Sequence, residues 1–245
     1  MVLIGAVAGG INTVAGGGSL ISFPFLTLSA QIPSLQANAT NSASLWPGSL
    51  AGALGFRDLL HKTKRYFKLL AIPTFLGAIL GAWLLTLSTT RLFDRVIPFL
   101  ILIATALLIL QPKIKKLVQR HDRHTPLWVG ILVQFLVSTY GGYFGAGMGI
   151  MMLGSFALYM EGNIHELNAV KNWLGLIINL VASTLLAIEG LVLWGPFLAL
   201  TTGSLLGGFY AAKWSQRVDS EKLRWVIAIY GIAMTAYFFW RAFAA

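Results

Sequence analysis

The hydrophobic positions of this chain fall into long charge-free runs, with none of the short-period alternation of a half-buried strand. The runs cover residues 1–30, 35–56, 69–87, 96–110, 127–160, 172–188, 191–212 and 225–240. Most of these eight apolar segments are near the roughly 20 residues that a helix needs to cross a bilayer. No charged residue precedes Arg57. Such a pattern predicts an all-α, polytopic membrane protein. A transmembrane β-barrel is excluded because the apolar stretches are continuous.

Two of the runs differ from the rest. Residues 1–30 and 127–160 are too long for one span, and glycines interrupt both. The first carries Gly16-Gly17-Gly18-Ser19, and the second carries Gly141-Gly142 followed by Gly145, Gly147 and Gly149. Each helical glycine costs about 1 kcal/mol relative to alanine, so an unbroken helix through either cluster is disfavoured. The expectation is two half-helices of about 15 residues in each run, about 22 Å long apiece. That is short for a full crossing and suits a re-entrant hairpin.

The chain also repeats itself. Gly16–Gly18 aligns with Gly145–Gly147, residues 37–41 (ANATN) with 168–172 (NAVKN), Gly77 and Gly81 with Gly203 and Gly207, and Val96-Ile97 with Val226-Ile227. This divides the chain into a first repeat at 1–110, a basic linker at 111–125 and a second repeat at 126–245. Charge decides between parallel and inverted copies. If each glycine-broken run returns to its own side, the basic segments 57–68, 111–125 and 213–224 all share one side. Only Arg91, Arg95 and Arg241 then lie opposite, with Lys171 left out of the count. If every run were one crossing, the basic segments would be split. The positive-inside rule favours the first arrangement, which makes the repeats inverted, the linker cytoplasmic and both termini external. Inverted repeats with broken helices are characteristic of transporters.

Composition narrows the chemistry. Hydrophobic residues make up 57% and charged residues 11%, against about 45–50% and 25% in soluble domains. The net charge of +10 is read as cytoplasmic anchoring, with no nucleic-acid partner. There is no cysteine, which excludes disulfides, thiolate metal sites and cysteine nucleophiles. The histidines (His61, His121, His124, His165) lack metal-ligand spacing, so neither metal nor cofactor is expected. No nucleophile–base pair or buried acid dyad argues for an enzyme. No basic region or A-x-A site follows Met1, so a cleaved signal peptide is not expected.

Taken together, AGGINTVAGGGSLISFPFL and ANATNSAS in the first half and STYGGYFGAGMGIMMLG and LNAVKNWLGLIINLVAS in the second resemble the TauE/SafE family, described as sulfite exporters. The resemblance covers essentially the whole chain. It implies a multi-pass protein of the bacterial inner membrane that moves sulfite or a small organosulfonate. Some members carry an Asp just before the glycine run, where this chain has Asn12 and Gly142. The partners implied are a small anionic substrate and the lipid bilayer, with a coupling proton and homo-oligomer formation left open. An anion channel on the same scaffold and a non-transporting membrane partner protein are the alternatives.

The candidate substrate-binding residues follow from the breaks and the helix starts after them. Irregular backbone survives in a membrane only where it is buried or lines a wet cavity, and a half-helix N-terminus favours an anion. Gly16, Gly17, Gly18, Ser19, Gly145, Gly147 and Gly149 are therefore candidates. Asn38, Thr40, Asn41 and Ser42, with Asn172 in the second copy, supply uncharged donors; the competing role for them is capping and interhelical bonding. Lys171, which aligns with Thr40, stands apart from the basic segments and is the candidate counter-charge. Its competing role is snorkelling or pairing with Glu166. Gly77, Gly81, Gly203 and Gly207 read as helix-packing positions. Glu161, His165 and Glu166 read as a solvated loop, and most of the tryptophans as interfacial anchors.

Overall fold

The computed structural model describes residues 1–14, 17–55, 57–119, 125–214 and 220–244. These residues are mostly helical and include no strand. The helices are α1 (Val2–Val14), α2 (Ser19–Pro24), α3 (Ser34–Gly55), α4 (Arg57–Leu87), α5 (Thr90–Gln119), α6 (Leu127–Tyr143), α7 (Met148–Tyr159), α8 (Ile164–Ile188), α9 (Trp194–Trp214) and α10 (Ser220–Phe243). Stretches of α4, α5, α8 and α10 have the length and hydropathy to cross a membrane. Four shorter apolar helical stretches come from the glycine-interrupted runs: 2–12, 19–29, 127–143 and 148–159.

Several helices outrun their apolar segments. Helix α4 starts at Arg57 and α5 ends at Gln119, so residues 57–68 and 111–119 are helical extensions. Lys and Arg are good helix formers, and their charges can stand in the headgroup layer while the backbone ladder continues.

Local chemistry explains the breaks and ends. Helix α6 stops at Tyr143, and the chain turns through Gly145 (φ 80°) and Gly147 (φ 78°) into α7. Those left-handed angles strain any residue with a Cβ. Helix α2 contains Pro24, which cannot donate to the helical ladder, and it continues as a π-helical turn over Phe25–Ser29. There the Thr27 hydroxyl donates to the carbonyls of Phe23 (3.2 Å) and Pro24 (3.0 Å). Helix α8 opens with a capping box: Asn163 Oδ1 accepts from the N–H groups of His165 and Glu166, and Glu166 Oε2 accepts from Asn163 N–H, each at 3.0 Å. This closes the Glu166 carboxylate onto its own helix start.

Packing pairs helices across the two halves. Helix α1 lies on α9, and α6 on α4; α3 contacts both α8 and α9, α8 contacts α4, and α5 packs on α10. Glycines make the two closest crossings. A Cβ on Gly203 or Gly207 would overlap the carbonyls of Val2 or Ala6, and one on Gly77 or Gly81 those of Phe135 or Thr139. The spacing of small residues therefore does what it does in other membrane bundles and lets backbones touch. Residue order along these contacts makes α1 parallel to α9 and α6 parallel to α4. Helices α5 and α10 run antiparallel, with Phe99 against Phe239 and Phe243, and Thr105 against Gly231.

The described parts of the basic segments gather at one end. Helix α7 follows α5, with Gly147 beside Ala104 and Gly154 beside Ile114. Just past α7, Glu161 N–H donates to the Tyr66 hydroxyl near the start of α4 (3.1 Å). The antiparallel α10 brings its own start to the same end. Many large apolar side chains are exposed, and Trp83, Trp128, Trp194 and Trp240, each near a helix end, are among them, as expected for side chains facing lipid and its interfaces.

Candidate functional site

The two glycine breaks meet on one turn of α5. Gly17 (φ 115°) faces the Leu108 side chain, with a Cβ built there 3.7 Å from Leu108 Cδ1. The same construction on Gly147 falls 3.3 Å from Leu107 Cδ1 and 3.4 Å from the Ala104 Cα. Residues far apart in the chain are thus brought to either side of residues 104–108. Gly16 lies outside the described residues. Gly18 precedes α2 and approaches the Ala8 carbonyl too closely for any side chain, which folds α2 back along α1. Ser19 is the first, half-buried residue of α2.

The α3 side chains divide between the two breaks and the far end. Asn41 is buried, and its Oδ1 accepts from the Ser22 hydroxyl on α2 at 2.5 Å. Asn38 is also buried; its amide donates to the carbonyl of Tyr143 (2.8 Å), the last residue of α6 before the second break, while its Oδ1 has no hydrogen-bond partner among the described residues. Thr40 is directed elsewhere, with its hydroxyl accepting from Leu193 N–H in the α8–α9 connection (3.0 Å). Ser42 is half-buried.

In the second half Lys171 reaches the break. Its aliphatic chain lies along Gly149 in the first turn of α7, and its Nζ donates to Asn168 Oδ1 at 2.8 Å. The ammonium therefore points back along α8, the direction helical side chains favour. Gly145 and Gly147 form the turn between α6 and α7, and the intervening Ala146 carbonyl accepts from the Tyr140 hydroxyl at 2.6 Å. Asn172 is half-buried.

Aromatic rings close the space beside this junction. Phe23 of α2 lies edge-on to Phe144 at the second break (5.6 Å between centroids) and to Phe93 of α5 (6.5 Å), and it stacks on Phe238 of α10 (6.0 Å). All four are buried. Sequence reading missed Ser22, Phe23, Phe144 and residues 104–108 of α5. Nothing in a uniformly apolar run distinguishes its inward face, because lipid-facing and protein-facing positions carry the same residue types.

The sulfite exporter TauE/SafE family matches residues 1–238. The chain belongs to this family. It is 29% identical over 233 residues to a "Probable membrane transporter protein" of Haemophilus influenzae, covering 95% of this chain and 91% of that one. It is 27% identical over 228 residues to "Probable membrane transporter protein ORF9" of a Sinorhizobium species, covering 93% and 87%. Against "Probable membrane transporter protein YfcA" of Escherichia coli K12 the identity is 25% over 235 residues, covering 95% and 86%. No solved structure matches significantly. Family membership and the apolar helices identify a multi-pass membrane protein of a transporter family.

Proposed function

We propose that this TauE/SafE protein is a secondary transporter of a small oxyanion, sulfite or an organosulfonate, working by alternating access in the inner membrane. The observation that carries the proposal is the meeting of the two glycine breaks on residues 104–108 of α5. Broken helices that converge inside a bundle offer backbone N–H groups to a bound anion. Lys171, against the first turn of α7, supplies a compensating cation there, and Asn38, Asn41 and Ser22 frame the first-half side.

The packing supports inverted repeats as the moving parts. Exchanging α1–α5 for α6–α10 in order carries the α1–α9 contact onto α6–α4 and the α3–α9 contact onto α8–α4, while α3–α8 and α5–α10 map onto themselves. Helix α6 starts from the basic end, whereas α1, parallel to α9, starts from the opposite one. We assign the basic end to the cytoplasm on the positive-inside rule.

The test is counterflow of labelled sulfite into proteoliposomes of the purified protein, with sulfate, thiosulfate, small sulfonates and acetate as competitors. Accumulation of label driven by excess internal sulfite is the expected result. Flux without counterflow would convert the reading to a channel, and no flux with any of these anions would overturn it.

A further inference from the structure

A second polar feature lies away from the glycine breaks, at the end opposite the basic segments. A cleft of about 340 Å³ opens there between the π-helical turn after α2, the start of α3, the start of α5 and the end of α10. This volume is within the range of about 300–1,000 Å³ typical of small-molecule sites. Asp94 of α5 and Arg241 of α10 both line it. The antiparallel packing of these helices sets the two side chains at one mouth, yet they do not pair with each other. Ser34, 5% exposed, also lines the cleft. Gln31, a non-glycine residue with φ 53°, completes this wall.

We propose that this cleft binds a small zwitterion, with an ammonium group against Asp94 and an anionic oxo group against Arg241. Electrostatic complementarity separates the classes of ligand. A simple anion attracted to Arg241 meets the Asp94 carboxylate, and a simple cation attracted to Asp94 meets the guanidinium. A molecule carrying both charges a few bonds apart satisfies both walls. Arg241 and Asp94 border a smaller pocket with Phe238, and Phe238 stacks on Phe23, which touches Phe144 at the second glycine break. The cleft proposal rests on these lining residues alone and is independent of the transport reading.

Calorimetric titration of the purified full-length protein in nanodiscs tests it with three probes of equal length: 2-aminoethanesulfonate, 2-hydroxyethanesulfonate and 2-hydroxyethylammonium. The aminosulfonate is expected to bind at least about fivefold more tightly than either singly charged probe. Asp94→Asn is expected to erase its advantage over the hydroxysulfonate, Arg241→Gln to weaken both sulfonates, and Arg91→Gln to change nothing. Equal binding of the two sulfonates by the unmodified protein overturns the proposal, as does a preference that survives Asp94→Asn or a lack of binding by all three probes. Sulfite counterflow is measured on the same preparation. Loss of counterflow with zwitterion selectivity intact removes the transport reading and leaves the cleft standing.

Discussion

The Lys171 side chain packs along Gly149: a Cβ built on the glycine lies 3.4 Å from Lys171 Cδ. The two residues belong to different helices, and the contact sets the lysine against the first turn of α7. If the ammonium contributes to anion binding, its removal matters more than its shape. Lys171→Met is expected to raise the sulfite concentration for half-maximal counterflow about 10-fold or more, as for loss of a charged hydrogen-bond partner, while the protein remains monodisperse. Gly149→Ala, which meets only van der Waals contact, is expected to transport nearly normally. Gly149→Leu, which must displace the lysine chain, is expected to resemble Lys171→Met. Unimpaired transport by Lys171→Met would remove the lysine from the site.

Phe23 holds the aromatic closure between the α10 side and the second glycine break. Phe23→Ala leaves a cavity among Phe93, Phe144 and Phe238, at a cost of about 3–5 kcal/mol by comparison with buried aromatic truncations. A lower thermal midpoint in detergent is expected. If the proposed pathway runs past these rings, faster passive efflux of sulfite from preloaded proteoliposomes is expected as well. A destabilised variant without added leak would make Phe23 a packing residue only.

The glycine crossings carry a sharper stability prediction. At Gly81 and Gly207 a side chain would overlap the carbonyls of Thr139 and Ala6, whereas a Cβ at Gly195 meets nothing within 4 Å. Gly81→Val and Gly207→Val are each expected to lose the monodisperse gel-filtration peak. Gly195→Ala is expected to run like the unmodified protein with a thermal midpoint equal or slightly higher, since alanine reduces the freedom of the unfolded chain.

Ser22 and Asn41 form a buried pair between α2 and α3. A double-mutant cycle of Ser22→Ala and Asn41→Leu, read by unfolding in detergent, is expected to give a coupling of about 0.5–1.5 kcal/mol. Additive effects would mean the two groups act separately.

The sequence by itself determined the membrane class and the places where helices break. Bilayer crossing demands long apolar runs, and glycine clusters are costly inside helices, so both are written locally. It also suggested the duplication on which the proposed inverted repeats depend. Helix lengths were legible only as far as hydrocarbon extends, because charged headgroup-level extensions such as 57–68 and 111–119 look like loops to a hydropathy reading. The packing partners were decided by the tertiary structure alone. Asn38 and Tyr143 are 105 residues apart, and Gly17 and Gly147 are linked only through a turn of α5 with no polar mark of its own. Thr40 and Lys171 align in sequence, yet one bonds the α8–α9 connection and the other lies along α7. In a bundle where lipid and core favour the same side chains, which face turns inward depends on how backbones fit together. That fit is a property of the assembled helices and not of any one of them.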